Sequence, residues 1–153
     1  MSALGLSCNV KRGRIVVRGV LLQGGSADLV FDHAVAGEED LALQLRSLGN
    51  ALTTLFKDLD VTSVVIRSAD YHRSTGLKDY VVLRLRGEGV LLATARAHAG
   101  LVACLTGHAI GEKCGMKKDE VDERAAVLLS EDLVEATAAA LAAEQLRTNS
   151  SHS

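Results

Sequence analysis

The sequence predicts an α/β domain: a five-stranded mixed sheet, three antiparallel strands followed by two parallel ones, flanked by helices. Three observations predict it. Three extended runs joined by short Gly-bearing turns fill residues 2–35. Leucines then recur every three or four residues across 38–59, the spacing of an amphipathic helix. A β-branched apolar run at 61–68 follows, so strand, helix and strand make one right-handed crossover.

Residues 2–8 read as the central strand, apolar with little bulk at Gly5, which suits a strand covered on both faces. A turn at 9–13 leads to a second strand at 14–22, and Gln23-Gly24-Gly25-Ser26 turns into a third at 28–35. The helix over 38–59 carries Glu38, Glu39 and Asp40 in its first turn, where its dipole favours acids, and Leu41, Leu45, Leu48, Leu52 and Leu55 as its stripe. A polar loop spans 70–79. From 77 to 98 the pattern is mixed, because Val81, Leu85, Val90 and Leu91 fit a helix that Gly87 and Gly89 weaken. Leu101–Leu105 reads as a short fifth strand, 107–115 as a loop or helical turn, and 117–129 as a helix. The final helix is expected over 131–147, capped by Ser130 and so rich in alanine that it must lie against the sheet or a partner. Residues 1–147 form one domain and 148–153 a disordered polar tail.

With 153 residues, 48% of them hydrophobic, the chain can bury a substantial core. Aromatics are only 3%, so that core must be leucine, valine and alanine. Proline is absent, which leaves the turns to glycine. The net charge of −2 creates no general attraction to nucleic acid, so any such binding needs a local patch. Cys8, Cys104 and Cys114 have neither zinc nor disulfide-framework spacing, and Cys104, within an apolar run, is expected in the core. With no signal-peptide pattern and no membrane-length apolar run, a reducing, cytoplasmic setting and no membrane partner are expected.

Four short stretches carry a family resemblance. Ala3-Leu4-Gly5-Leu6-Ser7-Cys8-Asn9 resembles the opening strand of the RNase H-like superfamily, in its RuvC-type resolvase branch. Val64-Val65-Ile66-Arg67 resembles that branch's fourth strand, and Arg86-Gly87-Glu88-Gly89-Val90-Leu91 is similar to a helix segment in which Arg-Gly precedes small and apolar residues. Asp132-Leu133-Val134-Glu135-Ala136-Thr137-Ala138 looks like the closing motif, two acids three apart before an alanine-rich helix. The chain is also similar to a short bacterial family of RuvC-like domains with degenerate catalytic acids, whose fourth strand carries a basic residue and whose helix bears a Glu-Gly pair, as at Glu88-Gly89. The resemblance implies an RNase H-like fold, a homodimer, and a cleft that would hold Mg²⁺ or Mn²⁺ on carboxylates for two-metal cleavage.

The departures decide the expected chemistry. Ser7 stands where the family has its first Asp and Arg67 where it has a Glu, leaving Asp132 and Glu135. A hydroxyl is a poor ligand and a permanent cation repels a metal, so two carboxylates facing Arg67 read more simply as an ion pair. Arg67 reads either as a strand-end residue pairing an acid or as a cation holding a phosphate. The candidate cleft is Ser7, Arg67, Glu88, Asp132 and Glu135. No cofactor is expected, and the function read here is a non-catalytic pseudo-nuclease that binds nucleic acid or protein. Two alternatives remain open. One is a Mg²⁺- or Mn²⁺-dependent nuclease using Asp132 and Glu135 with Glu88 or Asp70. The other is a structural or regulatory protein-interaction domain. Arg73, Lys78, Arg84, Arg86 and Arg96 form the candidate nucleic-acid patch, with Tyr71, Tyr80 and His72 as the nearby rings. Ser7 or Cys8 with His98 or His108 would be the nucleophile–base pairing to check.

Overall fold

A computed structural model describes residues 1–35, 40–70 and 76–152. The element order is β1 (Ser2–Lys11), β2 (Arg14–Gln23), β3 (Ser26–Ala34), α1 (Leu41–Asp58), β4 (Val61–Arg67), α2 (Asp79–His98), β5 (Leu101–Leu105), α3 (Gly107–Lys113), α4 (Lys118–Leu128), a 3₁₀ turn (Glu131–Leu133) and α5 (Val134–Ser150). The sheet runs β3-β2-β1-β4-β5. β1 is antiparallel to β2 and parallel to β4, so the three-then-two arrangement and the central place of β1 are as the sequence predicts.

Each hairpin closes through two residues. Lys11 pairs with Arg14 across Arg12 and Gly13, and Gln23 with Ser26 across Gly24 and Gly25. All four turn residues have positive φ, the condition for a tight turn that follows the twist of the strands. Glycine supplies three of them at no steric cost. Arg12, at φ 53, is the exception.

The sheet is covered on both faces. Leu4, Leu6 and Cys8 of β1, with Ile15, Val17, Val64 and Ile66, pack on Leu48, Leu52 and Phe56 of α1 and Leu91 and Ala95 of α2. On the other face Ala3, Val20 and Val65 meet the alanines of α5, over which α4 lays Val121 and Ala125. Alanine lets α5 come down onto the backbone of β1. A Cβ on Gly5 would land on the carbonyl oxygen of Ala136 and the amide nitrogen of Ala140.

Several boundaries differ from the sequence reading. Asp40 is the N-cap of α1 rather than part of its first turn, accepting from the amides of Ala42 (2.8 Å) and Leu43 (3.2 Å). Glu38 and Glu39 lie outside the described residues. Asp40→Ala is therefore expected to cost about 1 kcal/mol, seen as a Tm lower by roughly 2–4 °C. α2 is unbroken, because Gly87 sits where a Cβ would be 2.6 Å from Cys8 Sγ; the glycine buys contact with β1. The final helix begins at Val134, after a 3₁₀ turn, and Ser130 makes no side-chain cap. The Asp132 carbonyl, which a continuous helix would use internally, instead accepts from Arg18 (3.0 Å). At its far end α5 continues to Ser150, three residues into the expected tail, with Thr148 bonding back to the Glu144 carbonyl at 3.0 Å and Ser150 to that of Leu146 at 2.8 Å. Cys104 is exposed rather than in the core, because β5 is the edge of the sheet.

Candidate functional site

The C-terminal ends of β1 and β4 lie side by side, the usual ligand side of parallel strands. Register sets one row across the sheet: Asp32, Arg18, Ser7, Arg67, Leu105. Directly paired residues point to the same face, so Ser7 stands between two arginines beneath the start of α5. Ser7 is buried, and its hydroxyl makes no hydrogen bond among the described residues; with Asn9, Lys11, Arg18, Asp132 and Glu135 it lines a cleft of about 260 Å³. The hairpin side of this cleft is basic and its helix side acidic.

Arg67 turns away from that cleft. Only 5% exposed, it grips Asp70 through both terminal guanidinium nitrogens (2.9 and 3.4 Å) and donates to the Ser68 carbonyl (3.0 Å). Gly107 makes room for it, since a Cβ there would lie 2.5 Å from the guanidinium. The expected ion pair of Arg67 with Asp132 and Glu135 is thus not formed; a partner three residues away was nearer. These hydrogen bonds hold the Asp70 carboxyl below its ordinary 3.8. A depressed carboxyl stabilises the fold above its unfolded value and loses that contribution as pH falls through its folded one. The stability gap between wild type and Asp70→Asn should therefore be full above about pH 4 and close below it in acid titrations followed by circular dichroism.

The arginine that faces the acids is Arg84. From α2 it reaches over the strand ends, its side chain 14% exposed, and every group it meets is an oxygen. Nε donates to Glu88 Oε1 at 3.0 Å, one terminal nitrogen donates to Asn9 Oδ1 at 3.1 Å, and the other donates to the Arg67 carbonyl at 3.4 Å and lies 3.6 Å from Glu135 Oε2. Glu88, 4% exposed, also accepts from the Ala69 amide (2.7 Å) and the Ser68 hydroxyl (3.5 Å). Asn9 donates to Glu135 at 3.1 Å. β1, β4, α2 and α5 are tied together at one guanidinium.

This arrangement does not fit a two-metal centre. Hard divalent ions need several anionic oxygens. The row offers Ser7 and Arg67, Glu88 and Glu135 are spent on Arg84, and no three His, Cys, Asp or Glu side chains come together among the described residues. Nor do the described residues form the nucleophile–base pair that the sequence suggested. Burial, with Glu88 adding to it, pushes the Cys8 thiol up to about 12, while His98 stacks on Phe56 and His108 pairs with Glu112, each away from Ser7.

Of the basic residues grouped by sequence, Arg73 lies outside the described residues, as do Tyr71 and His72. Lys78, Arg86 and Arg96 are exposed, Arg96 bonding the Gly100 carbonyl (2.6 Å), whereas Arg84 is inside the network. Arg84 and Arg86 point roughly 200° apart around α2, so these residues do not share one face. The sequence reading missed a different group: Lys11, Arg12 and Arg14 at the β1–β2 turn, all exposed and none in an ion pair among the described residues. Lys11-Arg12-Gly13 reads as a turn and Arg14 as the start of the second strand; three cations in four residues is the signal available.

Comparison with known proteins bears on the fold. No protein-family model and no curated protein matches the sequence. Among solved structures, Thermus thermophilus RuvC has a TM-score of 0.68 at 16% identity, covering 98% of this chain and 97% of that one. The same resolvase in complex with a Holliday junction substrate gives 0.68 at 15%, covering 97% and 96%. The fold is RNase H-like, of RuvC type. The yeast mitochondrial Holliday junction resolvase is similar at a TM-score of 0.53 and 8% identity, covering 97% of this chain and 80% of that one. The RuvC-type likeness spans the whole domain, and identity this low speaks for fold alone.

Proposed function

We propose that this chain is a non-catalytic RuvC-like domain that binds nucleic acid through its β1–β2 hairpin. The observation that carries the reading is the row itself, with Ser7 and Arg67 adjacent where metal-dependent cleavage needs carboxylates. The acids of the nuclease alternative are divided between different partners: Asp70 serves Arg67 and Glu88 serves Arg84. Binding is supported by Lys11, Arg12 and Arg14, which are free to meet phosphates, and by Tyr80. That ring, 58% exposed, lines a cleft with Val10, Gly13, Asp79 and Leu83 beside the same hairpin and next to Lys78, and offers a face to a base. The RuvC seen with a Holliday junction lends the same fold a nucleic-acid precedent.

A homodimer is part of the proposal, on a different surface from the one the sequence suggested. The alanine face of α5 is consumed by β1 and α4, whereas Leu85 and Leu92 stand 44% and 40% exposed on the outer side of α2, two turns apart. Sedimentation at micromolar concentration should show a dimer that Leu85→Glu with Leu92→Glu dissociates. No helix among the described residues is long and apolar enough to cross a membrane. The exposed thiol of Cys104 suits the reducing cytoplasm we assign to it.

Fluorescence anisotropy with labelled four-way junction, duplex and single strands tests the binding. Saturable binding is expected, weakening with salt as counterions are released. Replacing Lys11, Arg12 and Arg14 together by Ala should lower the logarithmic salt slope by roughly three and leave the fold intact. No binding to any of these would sink the reading in favour of a protein-interaction domain.

A further inference from the structure

We infer that the cleft above Ser7 is a pocket for one unstacked guanine base of the bound nucleic acid. Its two sides differ in hydrogen-bonding character. The hairpin side supplies donors: Lys11, in no ion pair among the described residues, and Arg18, which spends one terminal nitrogen on the Asp132 carbonyl (3.0 Å) and has the other unbonded among them. The 3₁₀ turn supplies acceptors, Glu131 and Asp132, exposed and with carboxylates that accept no hydrogen bond among the described residues. On the floor the hydroxyl of Ser7, a residue only 4% exposed, is likewise unbonded and left for a ligand. Val16 on the sheet side and Val134 on the helix side add apolar surface for the faces of a ring.

The charges narrow the class of ligand. Lys11 and Arg18 are offset by Glu131 and Asp132, Asp32 stands 3.6 Å from Arg18 Nε, and Glu135 is engaged by Arg84 and Asn9. A bare anion gains little from so balanced a lining, and a metal ion finds no cluster of ligands among the described residues. A neutral ligand with a donor edge and an acceptor edge meets both sides at once. Among the bases that is guanine: N1–H and N2–H₂ are adjacent donors for a carboxylate, and O6 and N7 are adjacent acceptors for Lys or Arg. Adenine, cytosine and thymine each alternate donor and acceptor along their pairing edge and cannot satisfy a carboxylate with two donors. The volume of about 260 Å³ suits a single base. Lys11 belongs both to this cleft and to the hairpin cations, so a strand whose phosphates lie on Arg12 and Arg14 runs past its mouth. The inference rests on the hairpin reading for the strand and adds the base that is selected.

The test is fluorescence anisotropy with a labelled oligothymidine strand carrying one central guanine, hypoxanthine, 7-deazaguanine or adenine. Guanine should bind roughly tenfold more tightly than adenine, and hypoxanthine, without N2–H₂, and 7-deazaguanine, without N7, should each lose several-fold. Glu131→Gln with Asp132→Asn should abolish the preference for guanine while the adenine strand binds at least as well as to wild type. A preference that survives in that variant would overturn the inference. So would equal affinity of the wild type for all four strands, which leaves the hairpin reading standing. If no strand binds, the hairpin reading fails by itself and free nucleotides decide the cleft. Amide resonances of Ser7 and Asp132 that move with guanosine monophosphate and not with adenosine monophosphate support the pocket, and resonances that stay in place overturn it.

Discussion

Gly5→Ala is expected to destabilise the domain by about 3 kcal/mol or more, and Gly5→Val to prevent folding. α5 lies so close to β1 that the smallest side chain at Gly5 would meet backbone atoms of Ala136, Ala139 and Ala140. Backbone cannot swing aside as a flexible side chain can, so the whole helix would have to lift. Overpacking of an ordinary core costs roughly 1–3 kcal/mol, and this position has less freedom than most. For a domain of this size the alanine variant should melt about 6–12 °C lower. The contrast is Gly89, which opens to solvent in mid-helix, where Gly→Ala should be neutral or stabilising by about 0.5–1 kcal/mol. Urea denaturation of both variants checks this, and a Gly5→Ala protein as stable as wild type would mean that α5 is not seated on β1. The consequence reaches the site, because the same helix carries Glu135 to Arg84 and follows the turn that carries Asp132 to the cleft above Ser7.

Glu88→Ala is the second large effect, at about 3–5 kcal/mol, or a Tm lower by roughly 10 °C or more. It removes the carboxylate nearest to a guanidinium that is itself mostly buried, and strips the Ala69 amide and Ser68 hydroxyl of their acceptor. An unpaired buried charge costs far more than a pair returns. Removing the charge as well should therefore help: Glu88→Ala with Arg84→Met should be more stable than Glu88→Ala alone, a coupling that a double-mutant cycle measures. If Glu88→Ala stays within about 1 kcal/mol of wild type, water reaches this network and Arg84 is not the tie between the elements.

Much of the architecture was legible because its signals are local. Leucine spacing marks α1, β-branched runs mark β2 and β4, and glycines mark the turns. What escaped depended on tertiary contact. Gly87 weakens an isolated helix, yet here it admits Cys8, so helix propensity alone left α2 undecided. The start of α5 shifted because Arg18 captures a carbonyl from a strand far away in sequence. At the site, both Ser7 and Arg67 were named as cleft candidates, and the register of β1 and β4 pairs them directly. Which arginine would meet the acids was not readable. Arg67 found Asp70 three residues on, whereas Arg84 and Glu88, four apart on a helix, carried a pairing signal hidden inside a presumed solvent-facing patch. The hairpin cations were likewise visible but read only for their turn and strand.

The central claim is a resolvase-shaped domain that holds nucleic acid without cutting it. The most direct measurement incubates an end-labelled four-way junction with excess protein in Mn²⁺, then resolves bound complexes on a native gel and strand lengths on a denaturing gel. The proposed function predicts a salt-sensitive shifted complex whose strands all remain full length. Mn²⁺-dependent nicking that disappears in Asp132→Ala or Glu135→Ala would contradict it, and would mean that the acids beside Ser7 assemble a working metal site despite Arg84.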